Sequence, residues 1–161
     1  MQDQVVITGG GIVGLTLAVA LGSAGVRTSM IDREWAATMK ETTFDGRVSA
    51  IASASRAVFD GLGVWDRLAE NSEPIREIRV SDGDSPLFVH YDREEVSAEA
   101  LGYIVENRRI RHALLDALDS WDSVRLLDGR TVTGLERNSN AARVSLDDGT
   151  TLYTALVAAA D

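Results

Sequence analysis

Three glycines near the amino terminus follow the spacing GxGxxG, which brings backbone N–H groups close to a phosphate. Gly9, Gly11 and Gly14 come after a β-branched run at residues 4–8 (QVVIT) and lead into apolar residues at helical spacing. We expect Gly9 to make the tight turn, Gly11 to let the backbone approach a pyrophosphate, and Gly14 to let the helix pack closely on the sheet. The free N–H groups and the dipole of the helix then favour an anion. The pattern predicts a dinucleotide-binding strand, turn and helix.

An acidic residue ends the next predicted strand, at residues 26–32 (VRTSMID), and lies 18 positions beyond Gly14. Asp32 can accept hydrogen bonds from a ribose diol, and its carboxylate would repel the 2′-phosphate of NADP. A glycine-rich turn beside an ordinary surface aspartate is the alternative interpretation, but the strand before the turn and the helix after it favour a nucleotide site. Since FAD and NAD share this fingerprint, the rest of the chain has to separate them.

Two features favour FAD over NAD. The site lies at the extreme amino terminus, and the second strand leads into a long loop at residues 33–48 that carries Arg47. An arginine there could supply positive charge to the diphosphate, which a chain of net charge −9 otherwise lacks. A solvated surface arginine is the alternative interpretation of this position.

Composition excludes several kinds of site and partner. The negative net charge makes nucleic acid an unfavourable partner. The absence of cysteine excludes disulfides, thiolate metal sites and the redox cysteine pair that nucleotide-binding disulfide reductases need. With only two histidines, we expect no metal. The apolar stretch at residues 12–21 is shorter than the ~20 residues that span a membrane, so we expect no transmembrane segment and a cytoplasmic location.

The order of the remaining elements predicts an α/β fold, a Rossmann-like domain whose parallel sheet is extended by an antiparallel meander. Residues 74–104 contain a hairpin signature that we assign to a second sheet. The predicted elements are strands at 4–8 and 26–32, a helix from 12, helices at 49–62 and 106–118, a hairpin at 77–91, meander strands at 124–127, 131–137, 143–146 and 150–153, and a last strand at 156–160.

Three segments carry a resemblance to a known family. They read VVITGGGIVGLTLAVALGSAGVRTSMIDRE at 5–34, DGRVSAIASASRAVFDGLGVWDRL at 45–68 and LGYIVENRRIRHALLDAL at 101–118. In this order and spacing they resemble the ubiquinone-biosynthesis hydroxylases, which are FAD-dependent aromatic monooxygenases similar to para-hydroxybenzoate hydroxylase. The resemblance covers essentially the whole chain.

The resemblance implies roles for individual residues. Gly9, Gly11, Gly14 and Asp32 would bind the ADP half of FAD, and Arg47 would contact the cofactor near its pyrophosphate and ribityl region. Asn107 falls where the wider class has an arginine or glutamine that touches the flavin side chain. Arg108 or Arg111 could substitute for it, but on a helix we expect them to face solvent. The predicted cofactor-binding residues are Gly9, Gly11, Ile12, Val13, Gly14, Asp32, Arg33, Arg47, Asn107 and Asp161.

The three tryptophans have a packing role in this interpretation. Trp35, Trp65 and Trp121 are interpreted as packing anchors and not as ligand stackers. The family continues beyond an alanine-aspartate pair, whereas this chain stops at Asp161. We therefore expect residues 1–161 to be a C-terminally truncated, N-terminal portion of the FAD-binding domain that is inactive alone, with 74–104 belonging to a substrate domain.

The function that the resemblance implies is hydroxylation of an aromatic ring, with a polyprenylated phenol on the route to ubiquinone as substrate. O2 would be consumed together with a reductant, NAD(P)H, and the bound flavin would carry the oxygen chemistry. The resemblance is compatible with association with the membrane periphery or with a biosynthetic complex. Two alternatives remain open: a non-catalytic fragment that binds FAD or ADP, and a related flavoprotein monooxygenase with another aromatic substrate. The sequence identifies no catalytic residue.

Overall fold

The structure is a computed structural model, and it describes residues 3–41, 43–44, 46–83, 86–139 and 141–160. The chain divides into two compact units. One comprises Met1–Asp45 with Arg108–Asp161, and the other comprises Gly46–Asn107. The strands and helices in chain order are β1 (Asp3–Thr8), α1 (Ile12–Ser23), β2 (Thr28–Ile31), α2 (Ala36–Glu41), β3 (Val48–Ala52), α3 (Ser53–Gly61), β4 (Ser72–Ile75), β5 (Glu77–Ser81), β6 (Phe88–Asp92), β7 (Gly102–Glu106), α4 (Asn107–Leu118), β8 (Val124–Leu127), β9 (Val132–Arg137), β10 (Ala142–Leu146) and β11 (Thr151–Ala159).

A six-stranded sheet organises the first unit, in the order β8-β2-β1-β11-β10-β9. The four strands β8, β2, β1 and β11 are parallel, and β9 and β10 continue the sheet as antiparallel strands. The β1-α1-β2 connection places its two strands side by side and parallel, as a right-handed crossover does. The predicted α/β fold with a parallel sheet and a meander is confirmed.

Both faces of the central strand β1 are buried, because successive side chains point to opposite sides of a sheet. Helix α1 contacts β1, β2 and β8. A cluster formed by strands of the parallel part and of the meander includes Val6, Ile31 and Val144. These three side chains and Leu15 of α1 are at most 2% exposed, so the core holds β1 firmly at the point where the glycine turn begins.

The second unit contains a three-stranded antiparallel sheet, in the order β3-β7-β4, and a separate hairpin of β5 and β6. Helix α3 contacts β3 and β7. Trp65 and Tyr103 are buried and meet edge to face with ring centroids 4.9 Å apart. The hairpin agrees with the pattern at residues 77–91, and the assignment of 74–104 to a substrate domain stays a prediction.

Several predicted elements differ from the structure. The first part of the predicted helix at 49–62 is strand β3, whose pairing with β7 outweighs a short helical pattern. The predicted loop at 33–48 contains helix α2. Strand β8 is parallel to β2 and is not a meander strand, and the runs at 150–153 and 156–160 form the single strand β11.

None of the described helices is long and apolar enough to cross a membrane.

Candidate nucleotide-binding site

The glycine turn leaves the carboxyl end of β1, between its two parallel neighbours. Thr8 is paired with Ile31 of β2 on one side and with Ala159 of β11 on the other. The Gly9 N–H donates to the Ile31 carbonyl at 2.9 Å, and the Ala160 N–H donates to the Thr8 carbonyl at 2.8 Å. Open α/β sheets bind ligands where neighbouring strands connect in opposite directions, outside their carboxyl ends, and the turn lies at such a point.

Each of the three predicted glycines meets a different steric demand. Gly9 has a φ of 105°, which L side chains rarely adopt. A β-carbon on Gly14 would overlap the Gly9 carbonyl oxygen, so the missing side chain lets helix α1 pack closely against the turn itself. A β-carbon on Gly11 would have only the Ala160 carbonyl oxygen nearby, at 3.9 Å. The backbone at Gly11 is therefore open to a group such as a pyrophosphate.

Helix α1 presents its amino terminus to this open space. It begins at Ile12 after Gly11, which is extended (φ −68°, ψ −178°) and gives no side-chain cap. Ile12 and Val13 form the first turn, and within the described helix that turn carries no acidic residue. Its N–H groups and the helix dipole suit an anion.

Asp32 follows β2 directly, and its carboxylate lies against the glycine turn. Oδ2 accepts a hydrogen bond from the Gly10 N–H, and Oδ1 accepts one from the Glu34 N–H at 2.7 Å. A carboxylate has about four acceptor positions, so both oxygens can still accept from a ribose hydroxyl. The side chain is partly exposed, and the neighbouring Arg33 is exposed. The structure therefore brings Asp32 together with the turn, as the spacing predicted.

Gly10 is a site residue that the GxGxxG pattern does not identify. A β-carbon there would lie 2.9 Å from both Cβ and Oδ2 of Asp32. Any larger residue at this position would push the carboxylate away from the turn. The available signal was the run of three consecutive glycines, of which the pattern uses only two.

Arg47 and Asn107 lie in the second unit, where they contact each other. The Asn107 N–H donates to the Arg47 carbonyl at 3.1 Å, and the Asn107 side-chain oxygen accepts from the Ser49 hydroxyl at 2.6 Å. The Arg47 residue is exposed. Their predicted contact with a cofactor stays a prediction. Asp161, also predicted to bind the cofactor, lies outside the described residues.

One expectation about a large side chain is wrong. The Arg111 side chain is only 14% exposed and lies 3.8 Å from the Glu34 carboxylate, so it does not face solvent as predicted. Of the predicted packing anchors, Trp65 is buried, and Trp35 packs against Gly129 although it is 57% exposed. The sequence could not predict how exposed these side chains are, because exposure depends on the elements that surround each residue in the fold.

The described residues contain no group of three His, Asp or Glu side chains that could hold a metal ion.

The model of the FAD binding domain family matches residues 2–161. This chain belongs to that family. The match covers the glycine turn, Asp32 and both compact units.

Curated relatives support the resemblance to ubiquinone-biosynthesis hydroxylases. Ubiquinone hydroxylase UbiL of Rhodospirillum rubrum is 43% identical over 98% of this chain, which corresponds to 37% of the relative. The 3-demethoxyubiquinol 3-hydroxylase of Escherichia coli is 32% identical over 98% of the chain and 41% of the relative. The predicted family resemblance is confirmed, and the chain spans about two fifths of the length of these relatives.

A solved structure with the same fold is p-nitrophenol 4-monooxygenase PnpA of Pseudomonas putida, with a TM-score of 0.79. It is 20% identical, and the match covers 99% of this chain and 41% of that one. At this identity the likeness shows the fold of the chain.

Proposed function

We propose that the chain binds FAD, with the ADP half of the cofactor at the glycine turn. The observation that carries this proposal is the turn at the carboxyl ends of β1 and β11, with the Asp32 carboxylate against the Gly10 N–H. The open backbone at Gly11 and the uncapped start of α1 fit the diphosphate, and the free acceptor positions of Asp32 fit the ribose diol. Membership of the FAD binding domain family favours FAD over NAD.

The other predicted contacts rest on the family resemblance. Ile12 and Val13 would place their backbone N–H groups toward the diphosphate, and Arg47 would add positive charge to it. Asn107 would contact the flavin side chain. Arg33 and Asp161 complete the proposed set.

The longer proteins of this family suggest the reaction. We propose that this chain is part of an FAD-dependent hydroxylase that inserts one atom of O2 into an aromatic ring, with NAD(P)H as reductant and a polyprenylated phenol as substrate. When bound, FAD would supply the electron transfer and the activation of oxygen. The residues of this chain would bind and orient it. Association with the membrane periphery or with a biosynthetic complex suits such an apolar substrate.

Titration of the purified 161-residue chain with FAD, ADP and riboflavin tests the binding proposal. Asp32→Ala should weaken FAD and ADP alike by about 1.5 to 3 kcal/mol, the value of a hydrogen bond to a charged group. Riboflavin lacks the ADP half, so its affinity should not change. An equal loss of affinity for riboflavin would indicate a damaged fold. Unchanged affinities for FAD and ADP would show that Asp32 does not bind the ribose.

A further inference from the structure

The backbone of Asp32 is hydrogen-bonded to the last residue of β8 and to the loop that follows it. Its N–H donates to the Leu127 carbonyl at 3.1 Å, and its carbonyl accepts from the Arg130 N–H at 2.9 Å. The loop after β8 therefore continues the pairing of β2 and β8 past the end of both strands. The position of Asp32 depends on this loop as well as on β2.

The residues that follow Asp32 form hydrogen bonds with the same loop. The Gly129 N–H donates to the Glu34 carbonyl at 3.3 Å, and the Ala36 N–H donates to the Asp128 carboxylate at 2.9 Å. The Glu34 N–H in turn donates to the Asp32 carboxylate. Glu34 thus connects the β8 loop to the carboxylate that faces the glycine turn.

A tryptophan ring covers the middle of this loop. A β-carbon on Gly129 would lie 2.5 Å from Cε2 and 2.6 Å from Cζ2 of Trp35, and Gly129 has a φ of +63°. Only glycine combines this conformation with such a close ring. Trp35 is nevertheless 57% exposed, so burial in a core does not explain a residue of this size here.

We propose that Trp35 and Gly129 are positioning residues for the Asp32 carboxylate. The ring packs on the glycine and holds the two loops together, which keeps the Glu34 N–H and the Asp32 backbone in place. The carboxylate is then directed at the glycine turn before a ribose arrives. This inference rests on the proposed function, because it concerns how Asp32 recognises the ribose diol.

The test compares ADP with 2′,3′-dideoxy-ADP, which lacks both ribose hydroxyls, on the full chain. The wild-type chain should prefer ADP by about tenfold, as expected for hydrogen bonds to a carboxylate. Asp32→Ala should abolish the preference. Trp35→Ala should reduce it to about twofold or less while the affinity for dideoxy-ADP stays unchanged, and Trp35→Phe should restore most of it. A purely structural loss would weaken both ligands equally.

Tyr153→Ala is the matched control for Trp35, since Tyr153 is an aromatic residue of the same unit that is 55% exposed. It should leave the preference at its wild-type value. Gly129→Ala should lose the preference, whereas Gly25→Ala should keep it, because Gly25 has a φ of +70° but no atom near a β-carbon.

Failure of the positioning role and failure of the proposed function give different results. A wild-type preference that is abolished by Asp32→Ala but kept in Trp35→Ala, with its fold intact by circular dichroism, would overturn the positioning role and leave the proposed function standing. A wild-type chain that binds neither ADP nor FAD would overturn the proposed function and this inference together.

Discussion

Single residues decide how closely the Asp32 carboxylate can approach the glycine turn. Gly10 is the clearest example, because its N–H holds the Asp32 carboxylate and its missing side chain leaves room for it. Asp32 is a short acidic residue, so it reaches the turn only if the facing position is a glycine. Gly10 and Asp32 therefore act as a matched pair.

Replacing Gly10 by alanine should weaken ADP binding by about 1 to 3 kcal/mol, since the new methyl group displaces the carboxylate and breaks its hydrogen bond. Isothermal titration of ADP measures the effect. Gly134→Ala in β9 is the control, because a β-carbon there meets only Ser145, at 3.7 Å. If both variants bind ADP like the wild type, Gly10 does not position Asp32.

Arg47 gives a second prediction at this scale. If it supplies positive charge to the diphosphate, Arg47→Ala should weaken FAD binding by about 1 to 3 kcal/mol, with a smaller loss in high salt because salt screens the charge. Fluorescence titration of FAD at two ionic strengths provides the measurement. Arg67→Ala, which removes an equal charge from the same unit, should have no such effect. Equal behaviour of the two variants would exclude Arg47 from the site.

The residues that form the turn were predictable, because their role depends on local backbone geometry. Gly9 and Asp32 follow from spacing along two adjacent strands. Gly10 and Arg111 were not predictable in the same way. The first depends on where the Asp32 side chain lies, and the second is buried by elements that are distant in sequence.

At the scale of elements, an ion pair connects α2 to α4. Lys40, the only lysine of the chain, donates to Asp116 at 2.7 Å and lies 3.7 Å from Asp119. The hydrogen bond with Asp116 is the main cause that raises the pKa of Lys40 above its ordinary value of 10.5. Because the folded pKa is raised, the pair stabilises the fold fully below pH 10.5, and this stabilisation is lost as the pH rises through the folded pKa.

An NMR titration of the single lysine, labelled at Cε, should therefore give a pKa above 10.5. Asp116→Asn should lower it, because the charged acceptor is removed. Asp60→Asn, in the other unit, should leave it unchanged. The same lysine pKa in all three proteins would show that α2 is not held by this pair.

Elements with a strong local signal were predicted well, and those defined by pairing were not. The β1, α1 and β2 elements were predicted from a β-branched run, a glycine turn with the GxGxxG spacing and the acidic residue that ends the second strand. Strand β3 has a helical-looking pattern but forms its bonds with β7, which lies about 50 residues later. Strand β8 resembles its meander neighbours in composition, and only its parallel pairing with β2 separates it from them.

For the molecule as a whole, both compact units expose large apolar side chains. The sheet of the first unit positions the glycine turn, Asp32 and the loop after β8. The second unit exposes several large apolar side chains on its hairpin: Ile78, Val80, Phe88, Val89 and Tyr91. Composition could not predict which elements expose these side chains, because exposure depends on how the elements pack.

We propose above all that the ADP half of a dinucleotide binds at the glycine turn beside Asp32. Backbone amide NMR of the labelled 161-residue chain, recorded as ADP is added, tests it most directly. We predict that the largest shifts fall on the amides from Gly9 to Gly14 and around Asp32, and that Asp32→Ala reduces them at equal ADP concentration. Shifts confined to other parts of the chain, or no shifts at millimolar ADP, would contradict the claim.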